Sequence, residues 1–148
     1  MALKDQIDND LKQALKDKKE LELSVLRMLK TALKNAEIAA KGSLSEEDAA
    51  KVVATQAKQR KDAISQFEQG GRSDLADKEK AELAVLQTYL PEQMPEEDIR
   101  KVIREKISEA GDDQNFGRIM GMVMKEIGQK ADGGAVRQIL QEELGENG

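Results

Sequence analysis

Gln56, Arg60, Glu79 and Glu82 are polar residues at positions where helical spacing calls for apolar ones. On the third predicted helix Val53, Ile64 and Phe67 set the inward face, and Gln56 and Arg60 project into the middle of it. On the fourth, Leu75, Leu83, Leu86 and Leu90 set the face, with Glu79 and Glu82 among them. Buried charge is costly unless paired. The economical arrangement is a structural ion pair that fixes helix register: Arg60 meets Glu79 or Glu82 across the helix pair, with Gln56 adding hydrogen bonds. Paired carboxylates also serve as catalytic acids and as ligands for hard cations, and a polar binding groove is a third use. The chain has no histidine and no cysteine. That excludes thiol nucleophiles, thiolate zinc sites, imidazole bases and the Ser-His-Asp arrangement. No partner acid cluster stands on another inward face, so no catalytic residue and no metal ligand is assigned.

The cations suggest a different chemistry. At about 100° per residue, Arg27, Lys30 and Lys34 fall in one narrow sector beside the apolar face of the second helix. No acid lies between Leu23 and Ala36. A second acid-free run, Ala49 to Lys61, carries Lys51, Lys58, Arg60 and Lys61. If the two helices are neighbours, a phosphate backbone can bind there through counterion release. The plainer alternative is a solvated helix face.

Phe116-Gly117-Arg118-Ile119-Met120-Gly121-Met122-Val123-Met124-Lys125 reads as a short helix. Glycine in a helix interior costs about 1 kcal/mol relative to alanine. A chain this rich in helix formers has no local reason to accept it twice. Gly117 and Gly121 therefore point to close backbone approach, by another helix or by a ligand. Phe116, Ile119, Met120, Val123 and Ile127 keep the core spacing, while Arg118 and Lys125 border the glycine sector. Two readings stand: close helix–helix packing, or a smooth, positively edged surface against an RNA backbone. Asp132-Gly133-Gly134 is most simply a cap and turn before the last helix, since Asp132 would repel a phosphate there. The glycines match neither a P-loop nor a dinucleotide fingerprint.

The elements that hold these residues are helices. In 148 residues the aromatics are 2%, the prolines are Pro91 and Pro95 alone, and no long alternating β-branched run occurs. An all-α protein follows. Charged residues reach 36%, yet apolar positions recur at helical spacing, so the chain is not read as disordered. Leu3, Ile7, Leu11 and Leu15 form the first stripe, and Asp17-Lys18-Lys19 the turn after it. Leu21 to Ala40 makes a long second helix, with Val25, Leu26, Met28, Leu29, Ala32, Leu33 and Ala36 on its apolar face and Lys41-Gly42 as its end. Ser45-Glu46-Glu47-Asp48 caps the third, Gly70-Gly71 stops it, and Ser73 is placed to cap the fourth. Two prolines in Pro91-Glu92-Gln93-Met94-Pro95 mark the best domain boundary, and Pro95 suits the first turn of a fifth helix. The expected architecture is two small helical domains. Residues 1–94 form a bundle of about four helices, and residues 95–148 a bundle of about three short ones. No internal repeat, low-complexity tract or sustained heptad occurs.

The net charge is −5, with 16 basic and 17 acidic residues up to Met94 and 8 and 12 beyond it. A mildly acidic chain binds nucleic acid only through a local patch. Met1 to Leu11 alternates charged and apolar residues and reads as neither signal peptide nor membrane span, so a cytoplasmic place is expected.

Several motifs together resemble the bacterial YqeY-like proteins. They are Leu26-Arg27-Met28-Leu29-Lys30 with Lys34-Asn35-Ala36-Glu37-Ile38, Gln56-Ala57-Lys58-Gln59-Arg60-Lys61-Asp62, Phe67-Glu68-Gln69-Gly70-Gly71-Arg72, Tyr89-Leu90-Pro91, and Gly117 to Val136. The resemblance covers essentially the whole chain. That family is similar to the C-terminal helical and tail regions of the GatB and GatE subunits of tRNA-dependent amidotransferases. The resemblance implies two all-helical domains, the second a small tail-like bundle, and a relation to carbon–nitrogen ligases with glutamine as amido-N-donor. In those enzymes the tail helps to hold the tRNA. The GatB part that phosphorylates and amidates the aminoacyl group has no counterpart in this chain, nor is the amidase subunit's serine–lysine system recognisable. Contact with tRNA is what carries over.

The leading expectation is thus a non-catalytic, tRNA-binding-like accessory module. Its phosphate contacts would be Arg27, Lys30, Lys34, Lys51, Lys58, Lys61, Arg118 and Lys125. The alternative is a protein-interaction adaptor whose glycine–methionine face (Gly117, Gly121, Met122, Met124) docks a partner helix. A third is an amidotransferase with a site at Gln56, Arg60, Glu79 and Glu82. No cofactor is expected. The expected partner is tRNA, or an amidotransferase or other translation-related protein, with neither membrane nor DNA.

Overall fold

The computed structural model describes residues 2–145. Those residues form α1 (Leu3–Lys16), α2 (Glu20–Ala40), α3 (Glu46–Gln69), α4 (Ser73–Gln87), α5 (Glu96–Ala110), α6 (Phe116–Ile127) and α7 (Gly133–Glu143). A 3-10 turn, Gly128–Lys130, follows α6. No strand occurs among the described residues, so the protein is all-α. The chain divides into two compact units, Met1–Leu90 and Pro91–Gly148.

In the first unit α1 packs on α2 and α3 on α4, with α2 lying against both α3 and α4. Ile7, Leu26, Leu29, Val53 and Leu86 are at the centre of one apolar core. Leu3, Ile7 and Ala14 are buried along α1, whereas Leu15 is 58% exposed. The expected stripe ending on Leu15 is corrected. Steps of four residues overshoot a 3.6-residue turn by about 40° each, so three such steps carry Leu15 well off the face that Leu3 sets. Ala14, eleven residues from Leu3, returns to it. Met28 of the expected α2 face is likewise 39% exposed.

The helix ends follow local chemistry with three corrections. Ser45 caps α3 by accepting a hydrogen bond from the Asp48 N–H at 3.1 Å. At the end of α2 it is Lys41, not Gly42, that takes the left-handed conformation, with φ 59°. Its amide reaches back to the Ile38 carbonyl and that of Gly42 to Glu37, so the chain reverses one residue before the glycine. Ser73 does not cap α4. It is already helical, Arg72 holds the cap position, and the Arg72 side chain turns to Asp74 at 3.3 Å. Pro95 stands at the cap of α5 rather than inside its first turn.

In the second unit α5 packs against α6 and α7, and α6 against α7. Ile103, Ile119, Val123, Val136 and Leu140 are fully buried in a core that is separate from the first. Asn115 caps α6 through the Arg118 N–H at 2.9 Å, and Asp132 caps α7 through the Ala135 N–H at 3.1 Å. Arg100 bridges from α5 to Glu142 at 2.7 Å and Glu143 at 3.0 Å on α7, and Arg104 joins Glu143 at 3.1 Å. The two guanidinium groups hold the Glu143 carboxyl below its ordinary range, Arg104 contributing most.

Candidate nucleic-acid interface

Arg60, Glu79 and Glu82 meet between α3 and α4. The Arg60 Nη1 donates to Glu79 Oε2 at 3.1 Å and lies 3.5 Å from Glu82 Oε2. The three side chains are 20%, 16% and 9% exposed, so the pairing is shielded from water on most sides. Burial, and after it the like charge of Glu79, pushes the Glu82 carboxyl above its ordinary value, with Arg60 pulling the other way. Gln56 does not join the cluster. It makes no hydrogen bond among the described residues. The guanidinium is committed to the two glutamates, which leaves a closed charge cluster rather than an open acid pair. Among the described residues, no group of three or more acidic side chains is gathered as a metal-holding set.

The eight cations expected to meet phosphate divide by their neighbours. Lys30 is held by Asp8 of α1 at 3.0 Å. Lys51 lies near Glu47 at 3.8 Å and Asp48 at 3.9 Å on its own helix. Arg118 is paired with Asp113. Arg27, Lys34, Lys58, Lys61 and Lys125 are exposed and make no ion pair among the described residues. The acid-free run on α2 therefore does not mean an acid-free surface there. Asp8 comes from α1, and Glu37 pairs with Lys4 at 2.9 Å, so Lys30 and Lys34 line a 210 Å³ cavity that both acids share.

The glycine face of α6 is open. Gly117 and Gly121 are exposed, and a side-chain carbon built on Gly121 meets no atom within 4 Å. On Gly117 it meets the Asn115 side-chain oxygen at 3.4 Å. Close helix–helix packing at these glycines is thus corrected. α6 buries Ile119, Val123 and Ile127 against α5 and α7, and the glycine sector lies on the other side. What remains is a bare strip of backbone bordered by Arg118 and Lys125 on one side and by half-buried Met120 and Met124 on the other. Arg137 of α7 lies over the Phe116 ring, 5.5 Å from its centre, at the start of the same helix.

One contact lay outside any sequence pattern. The Tyr89 hydroxyl donates to Asp10 Oδ2 at 2.6 Å, joining residues 79 positions apart. Burial, with Asp10 second, raises the Tyr89 pKa. The two residues border an open cavity of 430 Å³ whose other charged lining is Asp17, Lys19 and Glu22. Its acidic excess suits no phosphate. Nothing short of the tertiary arrangement brings Asp10 and Tyr89 together.

The chain matches the family model described as Yqey-like protein over residues 4–144. It is 30% identical over 129 residues to "Altered inheritance of mitochondria protein 41, mitochondrial" of Saccharomyces cerevisiae (strain YJM789), a match covering 84% of this chain and 62% of that protein. It is 39% identical over 85 residues to the protein of that name from Vanderwaltozyma polyspora, covering 57% of this chain and 46% of the relative. For the one from Pyrenophora tritici-repentis it is 30% over 141 residues, covering 92% and 77%. The chain thus spans less than two thirds of the length of these two yeast relatives. Among the described residues, no helix is long and apolar enough to cross a membrane. Since the family match begins in α1 and ends just past α7, taking in the ion cluster and the glycine face alike, the chain belongs to the Yqey-like protein family.

Proposed function

We propose that this protein is a non-catalytic accessory module that binds tRNA-like RNA through the glycine face of α6. The observation that carries the reading is Gly121: it lies inside a helix, exposed, with no other described element within 4 Å of where a side chain would begin. Such a glycine sacrifices about 1 kcal/mol of helix stability and gains no packing within the molecule. A backbone that must come close to a large ligand gives the position a use. Lys125 offers an unpaired charge beside it. Arg118 can leave Asp113 for a phosphate at little cost, because an exposed pair of that kind is worth only about 0–1 kcal/mol. Within the first unit, taken by itself, Lys58 and Lys61 are exposed and make no ion pair among the described residues. The family resemblance to amidotransferase tails that hold tRNA supports the same reading. The ion cluster at Arg60 has its charges already engaged and supplies no open acid or base. The reading places the protein in the cytoplasm; the names of the relatives include "mitochondrial".

The test is binding of the full chain to total tRNA across a salt series, beside Gly121→Leu and Lys125→Glu. Affinity should fall steeply with salt, and each variant should weaken it by about tenfold or more while keeping the helical circular-dichroism spectrum. Absence of binding at low salt would sink the proposal. Salt-tolerant capture of a protein, lost in Gly121→Leu, would assign the face to an adaptor instead.

A further inference from the structure

Among the described residues of the first unit, nothing covers the outward side of α2. Val25, Leu26, Leu29 and Leu33 bury its inner side, while Leu21, Ser24, Met28, Thr31, Asn35 and Ile38 are all exposed. Three of these are large apolar side chains, 38%, 39% and 66% exposed at Leu21, Met28 and Ile38. The six positions advance by alternating steps of three and four residues. That is the spacing of a coiled-coil seam, with Leu21, Met28 and Asn35 at one seam position and Ser24, Thr31 and Ile38 at the other. The run is short and half polar, which is why no sustained heptad stands out in the sequence.

The flanks of the seam are unequal. Arg27 and Lys34 lie along one side and are exposed, with the exposed Lys41 following at the end of the helix, and the other side carries Ala32 and Ala39, with Val25 turned into the core. We propose that this face docks an acidic amphipathic helix of another protein, which lays an apolar stripe on Leu21, Met28 and Ile38 and sets carboxylates against Arg27, Lys34 and Lys41. Thr31 already satisfies its hydroxyl on the Arg27 carbonyl at 3.0 Å, so it can offer its methyl group to the seam. Ser24 is small, and beside it an open hollow of 460 Å³ lined by Glu20, Leu23, Ser24, Arg27 and Met28 can receive a large apolar side chain. Asn35 is a polar residue within the seam, the kind that fixes register between helices. Glu20 opens the cationic flank with the opposite sign and calls for a lysine on the partner, which sets its direction.

A second copy of this chain is a poor occupant. It would set Ala32 and Ala39, or the same cations, against Arg27 and Lys34, and neither arrangement neutralises them. RNA is also a poor fit for this face, because the seam offers no aromatic ring for base stacking and its apolar side chains gain nothing from phosphate.

The probe is a synthetic helical peptide as long as α2. It has leucine and isoleucine in the seam, one asparagine to meet Asn35, glutamates on the flank facing Arg27, Lys34 and Lys41, and a lysine to face Glu20. A control peptide carries lysines in place of the glutamates. Fluorescence anisotropy with the full chain should show saturable binding of the acidic peptide and about tenfold weaker binding of the control. Arg27→Glu with Lys34→Glu should reverse that order, and Met28→Asp should abolish binding without changing the thermal melt. Equal affinity for both peptides, or no saturable binding, overturns the proposal. So does a double variant that loses tRNA and leaves peptide binding intact, which assigns the cations to RNA. Met28-dependent sedimentation with phosphatidylserine vesicles, without peptide binding, overturns it in favour of a membrane surface.

Discussion

Arg60 shows how much one buried side chain governs. It pairs with two glutamates that share the α3–α4 interface, and Glu82 is held above its ordinary pKa chiefly by burial even with Arg60 in place. A carboxyl whose folded pKa is raised favours folding fully below its unfolded value, about 4.3. That contribution is lost as pH rises through the folded value. Removing Arg60 removes the group that limits the loss. Arg60→Met should therefore destabilise the chain by about 3 kcal/mol at neutral pH, because two carboxylates are left buried without a counter-charge. The deficit should shrink as the solution is acidified through the carboxyl range, and Glu82→Gln in the same background should recover much of it. Urea unfolding at neutral and acidic pH measures this directly. A loss that does not change with pH would mean that Arg60 acts through the packing of its stem alone. At this scale the sequence pattern was informative, since charge at inward positions of neighbouring helices needs a partner. It could not show Gln56 left out, because that depends on which side-chain heads come level across the interface.

Among the elements, α6 separates what a helix needs from what a surface needs. Asn115 caps it, Ile119, Val123 and Ile127 anchor it, and Gly121 does neither. Gly121→Ala fills open space in a helical position, so it should raise stability by about 0.5–1 kcal/mol, read as a higher urea midpoint. An unchanged or lower midpoint would mean that Gly121 is needed for the fold, and the case for an outside ligand would fall with it. Gly117 is a poorer test, because a methyl group there would touch the side-chain oxygen of Asn115, the cap that starts the helix. The caps at Ser45, Asn115 and Asp132 follow from residue type and neighbours. The turn at Lys41 does not: glycine stands next door, yet the hydrogen bonds that close α2 require the reversal one residue earlier. Whether a glycine strip is covered or bare is a property of how helices are arranged around it, and the spacing of Gly117 and Gly121 is the same in either case.

For the whole molecule, the same apolar periodicity that defines the seven α-helices of the described residues also divides them. Among the described residues the buried apolar side chains, Ala76 apart, gather in two cores, one made from α1 to α4 and the other from α5 to α7 with the turn that follows α6. The proline pair at Pro91 and Pro95 marks this division in the sequence, while the pairing of helices within each core rests on contacts between distant residues, such as Tyr89 with Asp10. Two cores without shared residues predict two cooperative units. A fragment of residues 1–90 should melt as a helical protein in one sharp transition, because its core draws on four helices tied by Lys30–Asp8 and Arg60–Glu79. Residues 91–148 are the shorter unit, and domains of roughly 60 residues are marginal. Their helices should form but melt earlier and over a wider range, with the Arg100–Glu142–Glu143 bridges as the main ties between α5 and α7. Circular-dichroism melts of both fragments and of the full chain decide the matter: the full-chain curve should be close to the sum of the two. A full chain that melts in one transition well above both fragments would make the pair a single cooperative unit. RNA and helix binding would then have to be treated as properties of the whole rather than of either part.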